Sequence, residues 1–366
     1  MKPDASRPPD PSTRPRWNVS SIRPERLREI SLVLMIVLAV VIFALLVENL
    51  LSGTFFVRVT SGLAIIAILA AAQTIVVVTR NIDLSVGSIV GVSAYMTGHF
   101  LGDHATAHPL AAVALAVGIG CILGLVNGTL VAYGRVPAII VTLGTLALYR
   151  TMLIEYANAK NITVDTLPQW LPDFSRAVLV RIGGIDVRLT FAIAIAVIFV
   201  LQFVLGRLRW GRWLYAVGSN PDAALQVGIP VQRVVLSAFV VCGGLAGLAG
   251  FTFLVRFGTI TVFAGGGLEL ASVAAAVVGG VSILGGSGTL VGALLGATLI
   301  GLLNQSLLRV PEVSEFWRDA ILGVLILVAV VGDMLLRRRL NGRGVSGSSR
   351  GSSADGAPGI ESIRNA

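Results

Sequence analysis

Charge is scarce in this sequence. Asp, Glu, Lys and Arg make up 13% of its 366 residues, against about 25% in soluble domains. Hydrophobic residues reach 55%, and the mean hydropathy is +0.86. Water cannot solvate such a chain, which excludes a soluble globular fold. Cysteine is confined to Cys121 and Cys242, both within apolar runs, which excludes a disulfide scaffold. Lysine is nearly absent: Lys2 and Lys160 leave 26 of the 28 basic residues as Arg. A Walker-type phosphate loop sets a Lys directly after its glycines, and neither Lys has that context. The chain does not bind ATP in that way. Within the apolar segments there is no Gly-x-Ser-x-Gly elbow, no His-Glu-x-x-His and no pair of acids clustered in mid-membrane. An enzyme is therefore not expected. The net charge of +9 comes from Arg at the edges of apolar segments and in the tails, which argues against a nucleic-acid partner.

What fills the chain is apolar segments. Crossing about 30 Å of hydrocarbon takes about 20 apolar residues in a helix. Ten segments qualify: 30–48, 60–79, 84–101, 109–132, 136–153, 189–206, 234–254, 267–284, 288–308 and 319–336. The expected fold is an all-α polytopic membrane helix bundle of about ten spans, over residues 30–340. The first segment follows 29 polar residues and has no small-residue cleavage site, so it reads as a retained helix. Residues 1–29, rich in Pro and Arg, and 341–366, rich in Gly and Ser, cannot bury a core and are expected to be disordered. The N-terminal arm either meets anionic lipid or is simply solvated.

Orientation follows from basic residues in the loops. With the N-terminus inside, alternation gives 19 Lys and Arg on the cytoplasmic side and nine outside, so both termini are expected in the cytoplasm. Trp210 and Trp213 then mark one interface and Trp317 the other.

Small residues predict close crossings. Gly120, Gly124 and Gly128 form one row, and Gly87/Gly91, Gly243/Gly247 and Gly292/Gly296 repeat the spacing. Such rows let helix backbones approach. Gly124-Leu-Val-Asn127 before Arg135-Val-Pro137 is echoed by Gly301-Leu-Leu-Asn304 before Arg309-Val-Pro311. These lie five segments apart, an odd offset, so a repeat would be inverted, as in many transporters.

Four constellations could carry function. In Asn81-Ile-Asp83-Leu-Ser85-Val-Gly87-Ser88, a carboxylate near the membrane needs a partner or a cavity. Asp83 could cap the following helix with help from Ser85 and Ser88, or could gate a pathway. Other polar groups placed to face a bundle interior are Gln73, Asn127, Glu269, Asn304 and Gln305. In the cytoplasmic loop 207–233, Asn220 suits a helix N-cap, Pro221 the first turn, Asp222 the dipole and Gly228 the exit. A helix over 221–227 is about 10 Å long and unstable alone. Ala223, Ala224, Leu225 and Val227 give it an apolar side for a cytoplasmic partner, the membrane or its own chain. The outer loop 154–188 mixes four basic residues with four acids and Trp170, suiting either contact with an extracytoplasmic protein or plain solvation. His99, His104 and His108 with Asp103 could include an i, i+4 metal pair, but sit in a short outer loop, and no metal is expected. No Trp falls near a segment centre, so substrate contact inside the membrane is expected to be weak.

The run at 81–88 resembles the Gly-Ile-Asp-Leu-Ser-Val-Gly-Ser signature of the ribose, xylose and galactose type permeases, membrane subunits of bacterial binding-protein-dependent ABC importers. Asn127-Gly, Arg135-Val-Pro137, Thr142-Leu-Gly144-Thr, Gly211-Arg-Trp-Leu-Tyr-Ala-Val-Gly-Ser-Asn220, Gly228-Ile and Val278-Gly-Gly-Val-Ser-Ile-Leu-Gly-Gly-Ser-Gly288 extend it over roughly 50–336. Asn81 stands where the family usually has Gly. The resemblance implies a bacterial inner-membrane location and a second permease copy, as homodimer or heterodimer. It also implies an extracytoplasmic sugar-binding protein and a cytoplasmic ATPase that holds ATP and Mg. Residues 220–228 would then be the coupling helix that docks on the ATPase. The rival class, an ion-gradient-driven secondary transporter, would use Asp83 or Glu269 as proton carrier.

Overall fold

The computed structural model describes residues 24–47, 52–182, 185–307 and 309–310, and scattered positions from 317 to 331. In chain order its elements are α1 (Pro24–Leu46), α2 (Gly53–Val78), α3 (Val86–Asp103), α4 (Pro109–Ala132), α5 (Ala138–Ala157), α6 (Trp170–Arg176), β1 (Val178–Ile182), β2 (Ile185–Arg188), α7 (Leu189–Arg207), α8 (Arg209–Ser219), α9 (Pro221–Gln226), α10 (Val231–Phe257), α11 (Leu268–Val278) and α12 (Leu290–Leu307). Nine of the ten expected segments coincide with helices. The tenth, 319–336, lies mostly outside the described residues, as do 1–23 and 341–366. Among the described residues, seven helices are long and apolar enough to cross a membrane: α1, α2, α4, α5, α7, α10 and α12.

Several boundaries differ from expectation, among them the start of α2 at Gly53, seven residues before the expected 60. Helix α1 opens at Pro24, inside the stretch expected to be a tail, because Pro at the first helical position lacks an N–H the helix would leave unpaired. Helix α11 has only 11 residues, about 16 Å. It stops at Gly279-Gly280, where Gly280 takes a left-handed φ of 103° and the Val281 N–H turns back to the Ala276 carbonyl at 3.0 Å. The 154–188 loop holds α6 and a hairpin in which Val180 pairs with Val187 and Arg181 with Asp186. On that exposed hairpin the Arg181 guanidinium, 2.5 Å away, holds the Asp186 carboxyl below its usual range by hydrogen bonding.

Helices α2 and α10 form the core. Every residue of α2 from Thr60 to Val78 is buried. A long close crossing joins α4 to α10, where Cβ atoms on Gly120, Gly124, Gly243 or Gly247 would run into facing backbone. Gly87 and Gly91 face the 264–265 backbone, and Gly292 and Gly296 face the end of α11. The small-residue rows are thus seams between helices.

Helix contacts follow an inverted pairing. The α4–α10 packing has its counterpart in α12–α2, α3–α4 in α11–α12, and α3–α10 in α11–α2, while α2–α10 maps onto itself. That is the offset of five segments expected from the Asn127 and Asn304 echo. Helices α1 and α7 depart from it, α1 packing on α12 and α7 on α2.

Candidate functional site

The polar residues singled out at 81–88 fall on the connection between α2 and α3. Asp83 is fully buried there. Its Oδ1 accepts from the Ser85 N–H at 2.9 Å and the Ser85 hydroxyl at 2.6 Å. Asn127, on α4, donates to the Ser85 Oγ at 2.7 Å. Tyr149, on α5, lies 3.0 Å from the Asn127 Oδ1 and 3.1 Å from the Leu123 carbonyl, both acceptors for its hydroxyl. From α2, the Gln73 amide donates to the Asp83 carbonyl and accepts from its N–H. Thr142 donates to the Ile82 carbonyl at 3.3 Å. One short connection therefore holds four helices by buried hydrogen bonds, each costly to leave unmade. Asp83 Oδ2 has no hydrogen-bond partner among the described residues.

Two details correct the sequence reading. Asp83 does not cap the first turn of α3; it closes the turn onto Ser85, and Ser85 stands at the cap position without a side-chain cap bond. Ser88 bonds only back to the Ser85 carbonyl, at 2.8 Å. Tyr149 was not anticipated. Its signal was a phenol in an apolar helix, which must find a partner when buried.

Glu269 lies on the other side of Gly87. Its Oε1 accepts from the Gly267 N–H at 3.1 Å, and its second oxygen fills the space a Cβ on Gly87 would need. Arg150, from α5, reaches across to the Val262 carbonyl at 3.0 Å and the Ala264 carbonyl at 2.6 Å. Asn304 stands apart on α12, its Oδ1 buried and without a hydrogen-bond partner among the described residues. Asp83, Ser85 and Asn127 thus meet, Gly87 and Glu269 adjoin them, and Asn304 does not.

The 207–233 loop carries two helices. In α9 the Asn220 Oδ1 accepts from the Asp222 and Ala223 N–H groups, both at 3.1 Å. Pro221 opens the helix, and Gly228 leaves it at φ 81°. It ends one residue earlier than expected, with Val227 as C-cap. Its apolar residues divide: Ala224 is 4% exposed, against 64% for Leu225 and 76% for Val227. Ala224 therefore packs on its own chain, and Leu225 and Val227 are the free apolar groups. Helix α8, not expected as a helix, buries Gly211, Leu214, Val217 and Gly218 at the 3–4 spacing of an amphipathic helix.

A second junction joins this loop to the core. Arg80, at a left-handed φ of 67°, donates to the Gly218 carbonyl at 2.5 Å and the Ser219 carbonyl at 2.6 Å. The Gly286 N–H donates to the Val78 carbonyl at 2.9 Å. Gly218 has no room for a Cβ, which would overlap the Val78 carbonyl. The end of α2, the residues before α9 and the Gly285-Gly286 turn thus form one block, three residues from Asp83.

The histidines go separate ways. His99 pairs with Asp103 at 3.3 Å, His104 reaches the Phe100 carbonyl, and His108 caps α4 through Leu110.

Residues 55–330 match a family model described as branched-chain amino acid transport system / permease component. Among curated relatives, the chain is 37% identical over 312 residues to the autoinducer 2 import system permease protein LsrC of Shigella flexneri, covering 85% of this chain and 88% of the relative. The LsrC proteins of Escherichia coli K12/DH10B, at 36%, and of Salmonella typhi, at 37%, align over the same share of this chain and over 88% and 86% of their own. No solved structure matches. Permeases of this kind work with a separate ATPase and a substrate-binding protein. The chain belongs to the branched-chain amino acid transport system / permease component family, and is a multi-pass, non-catalytic inner-membrane permease subunit of an ABC importer.

Proposed function

We propose that this permease, paired with a second permease copy, forms the path for a monosaccharide or furanose-like solute handed over by an extracytoplasmic binding protein. Autoinducer 2 is the first substrate to test. The observation that carries this is the match, along 85% of the chain, to permeases named for autoinducer 2 import. Both termini lie in the cytoplasm, as the basic-residue asymmetry requires. Residues 220–228 dock on the ATPase, which holds ATP and Mg, and the contact is made by Leu225 and Val227, exposed on a capped helix that is too short to stand alone. The Asp83–Ser85–Asn127 network keeps the inner ends of α2, α3, α4 and α5 moving as one body, since none of its bonds can open without leaving buried polar groups unpaired. Gly87 and Glu269 form the seam between that body and α11; Asn304 and Ser88 pack locally.

The test is uptake by whole cells lacking the native permease and expressing this chain with its ATPase and binding protein. The panel is autoinducer 2, ribose, xylose, galactose and rhamnose. Depletion of at least one from the medium, lost on deletion of the permease, is expected. Depletion of none would overturn the substrate class.

A further inference from the structure

We propose that the outer ends of α3 and α5 form a binding recess for a small polyhydroxylated solute, the permease's own first contact with its cargo. The inference rests on the reading of the chain as a sugar-type permease and assigns that role to a place.

A cavity of about 430 Å³ opens between α3, α5 and the 158–166 segment, within the volume range of small-molecule sites. Tyr156 sets its aromatic wall, braced from behind by the buried Tyr95, whose ring it meets edge to face at 6.3 Å and 87°. His99 leans on Tyr156 at 5.7 Å and is held by Asp103 at 3.3 Å. Asn158 and Asn161 add side-chain amides to the lining. The combination matches hydroxyl-rich molecules. Carboxylate and amide groups supply donors and acceptors together, and ring surfaces cover C–H faces. The Lys160 and Asp103 charges in the lining balance, which disfavours a phosphate or a free carboxylate as ligand.

The recess is preformed. Tyr95 donates its hydroxyl to the Lys160 carbonyl at 2.9 Å. Ile162 is pinned by backbone bonds to Ile260 at 3.0 and 2.9 Å. Directly before Lys160, at the end of α5, Asn158 and Ala159 take left-handed φ values of 46° and 59° in succession. Asn tolerates that region; Ala does not, and such strain persists where the surroundings enforce it, commonly around ligand sites. The strained turn is the lip of the cavity.

Its position gives occupancy a consequence. Helix α3 runs from Ser85 to the recess, and α5 from Tyr149 to Tyr156, two turns away. The helices that meet the solute at the outer end are the ones tied together by the Asp83 network at the inner end.

The test uses the complete reconstituted importer with Asn158→Cys in this chain. Labelling by a membrane-impermeant maleimide is followed from the outside, with the wild-type chain as background. Free solute alone, from the panel above and with glycerol as control, is expected to slow labelling at least threefold for the transported compound only. A companion variant, Tyr156→Ala, is expected to lower maximal uptake at least tenfold at saturating loaded binding protein, while the permease still inserts and co-purifies with its ATPase. If the importer takes up a panel solute but no free solute slows labelling, or Tyr156→Ala transports normally, the recess proposal falls and the transport reading stands. If only the binding protein protects, the recess is a docking surface and the proposal is overturned. If the wild-type importer transports nothing in the panel, the substrate reading itself has failed.

Discussion

Asn127 is the residue on which the inner network turns. It gives one hydrogen bond to Ser85 and offers an acceptor to Tyr149, so Asn127→Ala strips two buried hydroxyls of a partner at once. The expected cost is about 1–3 kcal/mol, seen as a lower thermal midpoint of the detergent-solubilised importer; an unchanged midpoint would show that the network carries no load. Asp83→Asn keeps an acceptor for Ser85 while removing the charge, so uptake near the wild-type rate is expected. A loss beyond tenfold would make Asp83 a gating or proton-carrying group instead. The members Asp83, Ser85 and Asn127 were visible in the sequence, because polar groups in apolar segments stand out. Their grouping was not, since Ser85 and Asn127 are 42 residues apart and spacing says nothing about which helices touch. Ala224 shows the same gap in reverse: its type marked an apolar side, but only packing tells that it faces inward and Leu225 outward.

Among the elements, the glycine seams were the most legible, because a row of small residues at helical spacing has few uses besides close packing. Gly120→Ala is expected to destabilise by about 1–3 kcal/mol through overpacking against the Gly243 carbonyl. Gly118→Ala, on the same helix with nothing within 4 Å of the added carbon, is expected to leave the thermal midpoint unchanged or raise it. Equal effects would show that the seam is not tightly packed. Helix α9 was legible through its cap residues. Leu225→Glu and Val227→Glu are expected to cut co-purification of the ATPase and uptake at least tenfold while the permease still inserts. Retained solute-stimulated ATP hydrolysis would remove α9 from the interface. The hairpin and the end of α11 were missed, although both had signals. Gly183-Gly184 between two alternating runs is hairpin chemistry, and Gly279-Gly280 is a helix stop; the first lay in a loop read only for its charges and Trp170, and the second was hidden by reading 267–284 as one span.

For the whole molecule, composition alone placed the chain in a membrane, and the five-segment offset in the helix contacts turns a seven-residue echo into an architecture. Transporters built from inverted repeats switch by rocking one repeat against the other. Here the Asp83 connection binds four helices together, and the Arg80 junction links them to the 207–233 loop. Topology is checked by single cysteines in intact cells: Asp165→Cys is expected to label with an impermeant reagent from outside, and Val227→Cys only after permeabilisation. The reverse pattern would invert the bundle. The most direct measurement is solute uptake into vesicles holding this permease, its partner copy, its ATPase and its binding protein, first with ATP and collapsed ion gradients, then with gradients and no ATP. Uptake that requires ATP and the binding protein, and ignores the gradients, is the predicted result. Uptake driven by a gradient alone would contradict it, and would make Asp83 and Glu269 carriers of the coupling ion.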